Sequence, residues 1–569
     1  MEGDFRIGAW LVQPRLNSIS GEGKTAHVEP KMMQVLVHLA EHAGEVVPKE
    51  SLIREIWADT FVTDDVLTRA VSGLRKALGD SARKPRVIQT VSKSGYRLIA
   101  PVGAREGPAA VRSLAVLPLV NASGDPEIDY FCDGITESLI SSLSALPPLR
   151  VMARSTVFHY KGKETDARSI GRELKVDAVL TGRVVQRGET LTLDVELVDV
   201  ERGWRLWGEQ FARAPGDVLV VQDEISREIS RSLRLRLTGE ERKRLVKRYT
   251  ENAQAYQLYL RGRYCWNRRT GEALKQGLEY FRQAIDLDPA YALAHTGLAD
   301  SYYVLADYGH VSPREAFPQA KLAALRALEI DDTLAEAHTS FGWGQFVFDW
   351  EWSVAEREFR RSLELNPGYP TAHHWYSEYL TAMGRHDEAL AEIQYALELD
   401  PLSLVVNGMV GVTHYFARRY EQAVEWYRKT LELDSHYRPA YRWLGLTYER
   451  MGRADEAVGA YLKARSLSGF GAAAIPALEQ AYAESGIQGY WRLRLAHLTE
   501  QTGRRHVSPY PLAMGCAYLG ESGTALDWLE KAFEARDPGL TVLRVDPRCD
   551  PLSSEPRFQA LLRRMNLPP

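Results

Sequence analysis

Between Arg69 and Arg97 the chain gathers eight basic side chains, Arg69, Arg75, Lys76, Arg83, Lys84, Arg86, Lys93 and Arg97, against a single acid, Asp80. The whole 569-residue chain has a formal net charge of only −4, so this stripe is a local excess. Cations at such density neutralise phosphates and gain affinity by releasing condensed counterions from nucleic acid. Arginine adds direction, because its fork bonds bidentately to guanine, and neighbouring hydroxyls contact bases or phosphates. A charge run is more often a solvated face, so what matters is whether an element positions it.

Hydrophobic periodicity supplies that element. After Pro30, the residues Met33, Leu36, Val37, Leu39 and Ala40 recur at near-helical spacing, and Gly44 ends the run. A second helix fits Lys49 to Trp57, with Leu52, Ile53 and Ile56 inward. A third runs from Asp64 to Leu78 and buries Leu67, Val71, Leu74 and Leu78. Thr63 is placed to cap it, and Asp64 and Asp65 suit the positive end of its dipole. Short antiparallel strands precede the helices over Phe5 to Arg15, with a turn at Ser20-Gly21-Glu22-Gly23; two more follow over Val87 to Ile99 around Ser94-Gly95. The third helix is left with an outer face of Thr68, Arg69, Ser72, Arg75 and Lys76, of the kind that helix-turn-helix proteins lay in the major groove. Lys93 and Arg97 on the following hairpin are placed for an adjacent groove or backbone.

Several blocks in order carry a resemblance: Pro30-Lys31, Gly44-Glu45-Val46-Val47-Pro48-Lys49-Glu50-Ser51-Leu52, Ile56-Trp57, Leu74-Arg75-Lys76-Ala77-Leu78-Gly79-Asp80 and Val91-Ser92-Lys93-Ser94-Gly95-Tyr96-Arg97-Leu98. Over residues 5–101 they resemble the winged-helix effector domain of OmpR/PhoB-type regulators, particularly the ToxR/CadC branch. The resemblance implies a third helix in the major groove and a wing at the minor groove. It assigns Thr68, Arg69, Ser72, Arg75, Lys76, Lys93, Tyr96 and Arg97 to the DNA surface, with wing packing the favoured role for Tyr96. Gly73 stands where that family commonly has an arginine.

From Ser113 the pattern changes. Strands are expected over Ser113 to Val120, Leu149 to Ala153, Ala178 to Arg187, Thr190 to Val200 and Arg205 to Phe211, with a hairpin at Gly188-Glu189. Helices are expected over Tyr130 to Leu143, Ala167 to Leu174 and Val218 to Leu237, giving a small α/β sandwich. The blocks Ala115-Val116-Leu117-Pro118, Tyr130-Phe131-Cys132-Asp133-Gly134-Ile135-Thr136-Glu137, Gly171-Arg172-Glu173-Leu174 and Trp207-Gly208-Glu209 resemble TolB N-terminal and FlgO-like domains. That implies a packing or partner-binding module. Asp129, Asp133 and Glu137 at i, i+4, i+8 have the spacing of a carboxylate metal site. Lacking a histidine or a second acidic helix, they read better as helix-start acids. Trp204 and Trp207 read as packing. With no P-loop, dinucleotide turn or nucleophile elbow, no catalytic, cofactor or metal residue is assigned.

Self-similarity dominates the second half. Asp331-Asp332, Asn366-Pro367, Asp400-Pro401 and Asp434-Ser435 recur at intervals of 35, 34 and 34 residues, each after a Leu-Glu-Leu-like run. Asp288-Pro289 precedes them by a longer interval, with an insertion near Tyr308 to Pro318. Gly342 with Ala355 and Phe359, Gly411 with Ala423 and Tyr427, and Gly445 with Ala457 and Tyr461 resemble tetratricopeptide positions. Small residues serve where paired helices meet, aromatics fill the holes, and Asp-Pro or Asn-Pro separates helices. The array is expected over 254–470, with degenerate repeats and a terminal cap over 471–569. Such arrays form a superhelix whose concave groove takes peptides or protein segments. His295, Tyr302, His338, His373, His374, Trp375, Tyr376 and His414 stand on first helices, with inter-repeat packing the favoured reading for each.

No apolar run approaches the ~20 residues of a bilayer span. Residues 103–111 read as a linker where ToxR/CadC relatives often carry a transmembrane helix, and Met1-Glu2-Gly3-Asp4 is unlike a signal peptide. Cys132, Cys265, Cys516 and Cys549 are too scattered for a metal site. The expectation is a cytoplasmic, multidomain α+β chain: winged helix-turn-helix over 1–102, small α/β sandwich over 112–238, helical connector over 239–253, then an all-α tetratricopeptide superhelix. This order resembles cytoplasmic ToxR-type activators of the HilA kind. It implies a DNA-binding transcriptional regulator without a receiver domain and without a cofactor, bound to promoter DNA as tandem copies on direct repeats. A protein, peptide or signal would occupy the repeats. Two other classes stand beside it: a tetratricopeptide scaffold, and a chain labelled nucleotide cyclase through shared architecture, for whose catalytic domain the first hundred residues leave no room.

Overall fold

The computed structural model describes residues 5–567 apart from 22–23, 59–61, 105–110, 126–127, 164, 189, 214–217, 234–236, 240, 242–244, 246, 248, 469–471 and 503–506. The chain divides into two compact units, 1–110 and 111–569.

In the first unit β1 (Phe5–Ile7), β2 (Trp10–Gln13), β3 (Ser18–Gly21) and β4 (Lys24–His27) form an antiparallel meander. Then follow α1 (Pro30–Glu41), β5 (Val46–Pro48), α2 (Lys49–Ile56), α3 (Asp64–Ala77), β6 (Ile88–Val91), β7 (Gly95–Leu98) and β8 (Val102–Ala104). The first sheet runs β4-β3-β2-β1-β8 and the second β5-β7-β6. Val35, Leu36 and Leu39 of α1, Leu52 of α2, and Leu67, Val71 and Leu74 of α3 are fully buried together. Each such side chain contributes about 1.5–3 kcal/mol by leaving water, which is what holds three short helices in one arrangement. Two expectations are corrected. Thr63 occupies the cap position of α3 in extended backbone, yet its side chain makes no capping bond. Gly103 and Ala104, expected in the linker, continue β8 against Phe5 and Arg6 of β1; the stretch 105–110 lies outside the described residues.

The second unit opens with β9 (Ser113–Val116), β10 (Val120–Asn121), α4 (Asp129–Ser144), β11 (Arg150–Val151), α5 (Arg154–Phe158), α6 (Ala167–Glu173), β12 (Ala178–Arg187), β13 (Thr190–Asp199), β14 (Arg205–Arg213) and α7 (Val218–Ser232). Its sheet runs β11-β9-β12-β13-β14, with β10 also on β12; β9 and β11 pair in parallel and β12, β13 and β14 are antiparallel. The helix α5 was not expected. It is five residues long and is fixed by distant partners: Thr156 donates to Asp400 at 2.7 Å, and Ala153 N–H to Leu399 O at 2.8 Å.

Paired helices follow: α8 (Ala253–Asn267) with α9 (Gly271–Leu287), α10 (Ala292–Asp307) with α11 (Pro313–Ile330), α12 (Ala335–Gly344) with α13 (Trp352–Leu365), α14 (Pro370–Ala382) with α15 (His386–Leu399), α16 (Leu404–Phe416) with α17 (Tyr420–Leu433), and α18 (Arg438–Arg450) with α19 (Ala454–Ser466). The expected insertion is a turn and a helix start: Tyr308 caps α10, 308–312 are non-helical, and Pro313 opens α11, inside which Pro318 lies. A Cβ on Gly411 or Gly445 would meet the ring of Tyr427 or Tyr461 at 2.4 Å, so the helix pairs close only around glycine there. Beyond them lie α20 (Ile475–Thr502, broken at Ser485-Gly486), α21 (Pro509–Tyr518), α22 (Ser522–Ala535) and α23 (Pro556–Arg564).

The C-terminal segment is more than a cap on the last repeat. Phe558, Leu561 and Met565 share a core with Phe346, Trp352 and Phe359, and the Trp352 indole donates to Met565 O at 2.7 Å. The sandwich is likewise no separate bead, because one core joins Leu139, Leu143 and Leu197 to Tyr256, Leu260 and Tyr291 of the repeats.

Candidate nucleic-acid interface

Helix α3 turns Thr68, Arg69, Ser72 and Lys76 outward, as its apolar spacing requires, and Arg75 is half-buried. The Arg75 guanidinium is already engaged. Its Nη2 donates to Ile88 O at 2.8 Å and to Thr90 Oγ1 at 2.9 Å, tying α3 to strand β6. Thr68 Oγ1 donates to Asp64 O at 2.8 Å and stands 3.5 Å from the Tyr96 hydroxyl. Tyr96 is 4% exposed, so its ring packs the wing against α3 instead of facing outward. Lys93 is exposed at the tip of the β6–β7 turn, in left-handed backbone at φ 61°. Arg97 lies on β7 between Val46 and Gln89, half-buried, and its Nε has no hydrogen-bond partner among the described residues.

Two anchors escaped sequence reading. Asp80 had counted only as the lone acid of the stripe. Its carboxylate accepts four backbone N–H groups, from Ser81 at 2.9 Å, Arg86 at 2.7 Å, Val87 at 3.2 Å and Ile88 at 2.8 Å. Burial pushes its pKa up, and these four donors outweigh burial and hold it below the ordinary value. It thereby fixes the loop that carries exposed Arg83, Lys84 and Arg86. Lys49 bonds Asp64 at 2.7 Å and joins the starts of α2 and α3; that bond raises the lysine pKa. The spacing Asp80 to Arg86-Val87-Ile88 is a loop-capping signal, whereas Lys49 and Asp64 are far apart in sequence and meet only through the fold.

The expected acids of α4 are all committed. Asp129 accepts from Asn121 at 2.9 Å and Asp133 from Lys161 at 2.5 Å; Glu137 lies 3.0 Å from Arg154 Nε and 2.7 Å from Arg263 Nε. Among the described residues no three metal-ligating side chains gather, and the four cysteines are free and buried. The repeat histidines pack between helices. His295, His338 and His373 each reach the carbonyl six residues earlier, those of Pro289, Asp332 and Pro367, at 3.1, 2.9 and 2.9 Å. Asn407 and Tyr441 make the same bond in the next two repeats, to Pro401 O at 2.9 Å and Ser435 O at 3.3 Å. Tyr302 accepts from Arg282 at 2.7 Å, Tyr376 from Arg360 at 3.1 Å, and Trp375 stacks on Trp343. His374 pairs with Glu378 at 3.0 Å, and half-buried His414 has an inaccessible, unpartnered Nδ1 among the described residues.

Residues 23–98 match the family described as transcriptional regulatory protein, C terminal, and residues 110–228 match the HilA/YgeH-like transcriptional regulator second domain. Residues 351–403 and 411–472 match the tetratricopeptide repeat. The chain carries an OmpR/PhoB-type DNA-binding domain, a HilA-like second domain and tetratricopeptide repeats. Among its relatives, the transcriptional regulator HilA of Salmonella typhimurium is 25% identical over 411 residues, 71% of each chain. The transcriptional activator CadC of Escherichia coli is 43% identical over 98 residues, 17% of this chain and 19% of that one. A Rhizobium meliloti protein named as an adenylate cyclase is 35% identical over 229 residues, and the match spans 40% of this chain and only 39% of that relative. No helix among the described residues is long and apolar enough to cross a membrane.

Proposed function

We propose that the chain is a cytoplasmic one-component transcriptional regulator that reads promoter DNA with α3 and its wing and receives a protein partner or signal on its repeats. The carrying observation is the outward row Arg69, Ser72 and Lys76, on a helix whose opposite face is fully buried, beside exposed Lys93 on the wing. In this reading Thr68, Arg69, Ser72, Lys76 and Lys93 meet DNA, Arg97 approaches the backbone, and Arg75 and Tyr96 hold the wing in position. Copies bind head to tail on direct repeats. The sandwich over 112–238 and the repeats over 254–470 act as one arm, without an active site. The cyclase-named relative aligns over too little of its own length to lend its activity.

The test is binding of the full chain to fragments of its own upstream region and to random duplex, read by fluorescence anisotropy across a salt series. Tight binding to particular fragments that weakens with salt is expected. Arg69→Ala should raise Kd about tenfold or more, as removal of a base-reading arginine does, and Lys76→Ala should flatten the salt slope. Salt-independent binding, or an Arg69→Ala variant that binds as well as the parent, would turn the reading toward a protein-interaction scaffold.

A further inference from the structure

Near its end the chain lays a segment of its own against the later repeats. Residues 537–551 carry Asp-Pro pairs at 537–538, 546–547 and 550–551. Val542 and Val545 pack on the core that holds Tyr415 and Phe416 of α16 and Leu446 of α18. Asp550 accepts both arms of the Arg418 fork at 2.7 Å, and Pro547 O accepts from Arg450 at 3.4 Å. These repeats thus already hold one Asp-bearing segment through arginine. Helix α18 has further arginines that nothing occupies. Arg438 lines a cavity of about 1230 Å3 between α4 and the first helices, and Arg442 stands one turn further along α18. Both are exposed, and neither makes a hydrogen bond or ion pair among the described residues. A third guanidinium, that of Arg494 on α20, reaches the same place through Tyr461. A Cβ on Gly445, one turn past Arg442, would meet the Tyr461 ring at 2.4 Å, and Arg494 Cζ lies 5.4 Å from the centroid of that ring. Arg494 donates to Tyr490 OH at 2.7 Å and has no carboxylate partner among the described residues. The nearby acids are spent. Glu449, the one acid of α18, accepts from Trp491 Nε1 at 2.8 Å and Tyr461 OH at 3.0 Å, and Asp546 accepts from Arg548 at 3.0 Å and Tyr510 OH at 2.8 Å. The surrounding protein, and then the like charges of Arg548, Arg494 and Arg438, draw the Arg442 pKa down to about 10.

We propose that Arg438, Arg442 and Arg494 receive an acidic segment of a partner protein, its Asp or Glu side chains taking these guanidinium groups as Asp550 takes Arg418. A guanidinium fork matches a carboxylate bidentately, and a carboxylate relieves the crowding of like charges around Arg442. The spacing favours a chain over a lone anion. Residues i and i+4 of a helix stand about 6 Å apart along its axis, and carboxylates on alternate residues of an extended chain about 7 Å apart. Arg494 stands on a different helix, and packed helices lie about 8–10 Å apart, which spreads the charges over several residues of a bound segment. This rests on the reading of the repeats as the part that receives a protein partner, and it adds that partner's chemistry.

The probe is a fluorescein-labelled peptide of alternating Glu and Ser, compared with its Gln and Ser counterpart. Each is titrated with the full chain without DNA and followed by anisotropy. Saturable binding of the Glu peptide is expected, at least tenfold weaker for the Gln peptide and at least tenfold weaker in Arg442→Glu. Arg438→Ala should weaken it as well, with both variants melting as cooperatively as the parent. The DNA-binding unit is basic too, so Arg69→Ala and Lys76→Ala serve as controls and should bind the peptide like the parent. Equal binding of the Gln peptide, an Arg442→Glu variant that binds like the parent, lost binding in the two controls, or no saturable binding up to the millimolar range would each overturn the proposal. Displacement of the peptide by pyrophosphate at or below the peptide's own Kd would overturn it in favour of a small-anion site. The promoter-binding assay is independent of these outcomes, so failure here leaves the DNA reading standing, and the reverse.

Discussion

Arg75 and Arg69 lie on one helix, but only Arg69 is left free for a ligand. The Arg75 fork is filled by Ile88 O and Thr90 Oγ1, so its loss should act through geometry. Arg75→Ala is expected to speed amide hydrogen exchange across Ile88 to Leu98 and to weaken DNA binding together, whereas Arg69→Ala weakens binding with exchange unchanged. Arg75→Lys should not rescue, since an ammonium has no fork to span two acceptors. Asp307 makes a different residue-scale prediction. Its pKa lies near 7 because the enclosing protein disfavours the charge and Glu378 repels it, against Arg269. A carboxyl whose folded pKa exceeds its unfolded value costs the fold stability as pH rises between the two. Asp307→Asn should therefore melt higher than the parent at pH 8, with the gap narrowing as pH falls and nearly closed by pH 4, as measured by circular dichroism. Equal melting at both values would contradict the raised pKa.

At the scale of elements, the wing depends on one glycine. Gly95 has φ +150°, and a Cβ there would fall 1.9 Å from Val47 O across the β5–β7 pairing. Gly95→Ala is expected to lower the melting temperature of the DNA-binding unit by several degrees and to cut DNA affinity, with helicity nearly intact. The third helix was legible in the sequence because its burial pattern is periodic: Leu67, Val71 and Leu74 are set by spacing alone, and Thr68, Arg69, Ser72 and Lys76 follow as what remains. The wing was legible through Ser94-Gly95. The role of Arg75 was not, since periodicity places a side chain on a face without saying what it reaches. The same limit hid α5, whose five residues form a helix because Thr156 and Ala153 find partners at Asp400 and Leu399. No local pattern carries information about contacts so distant in the chain.

Over the whole molecule, the sandwich and the repeats share a core and a half-buried charge cluster, in which Glu137 sits between Arg154 and Arg263. Burial would raise the Glu137 pKa, but the two arginines outweigh it and hold the carboxyl ionised. Glu137→Gln removes the carboxylate shared by two half-buried guanidinium groups, leaving Arg263 only Asp300 at 3.8 Å, and should cost about 1–3 kcal/mol. In calorimetry the parent is expected to lose sandwich and repeats in one transition, and this variant in one transition at lower temperature. Separate melting of the two in the parent would show that the shared core does not couple them. The polar clip six residues past each inter-repeat carbonyl, made in turn by His295, His338, His373, Asn407 and Tyr441, bears on how such an array changes over generations. Five successive joints bring their own fastener at the same step, built from three different side-chain chemistries. Unequal crossing-over between neighbouring units would then join any unit's end to any other's beginning with the fastener already in register. An arm built this way could lengthen or shorten by whole units without any change to the DNA-reading head.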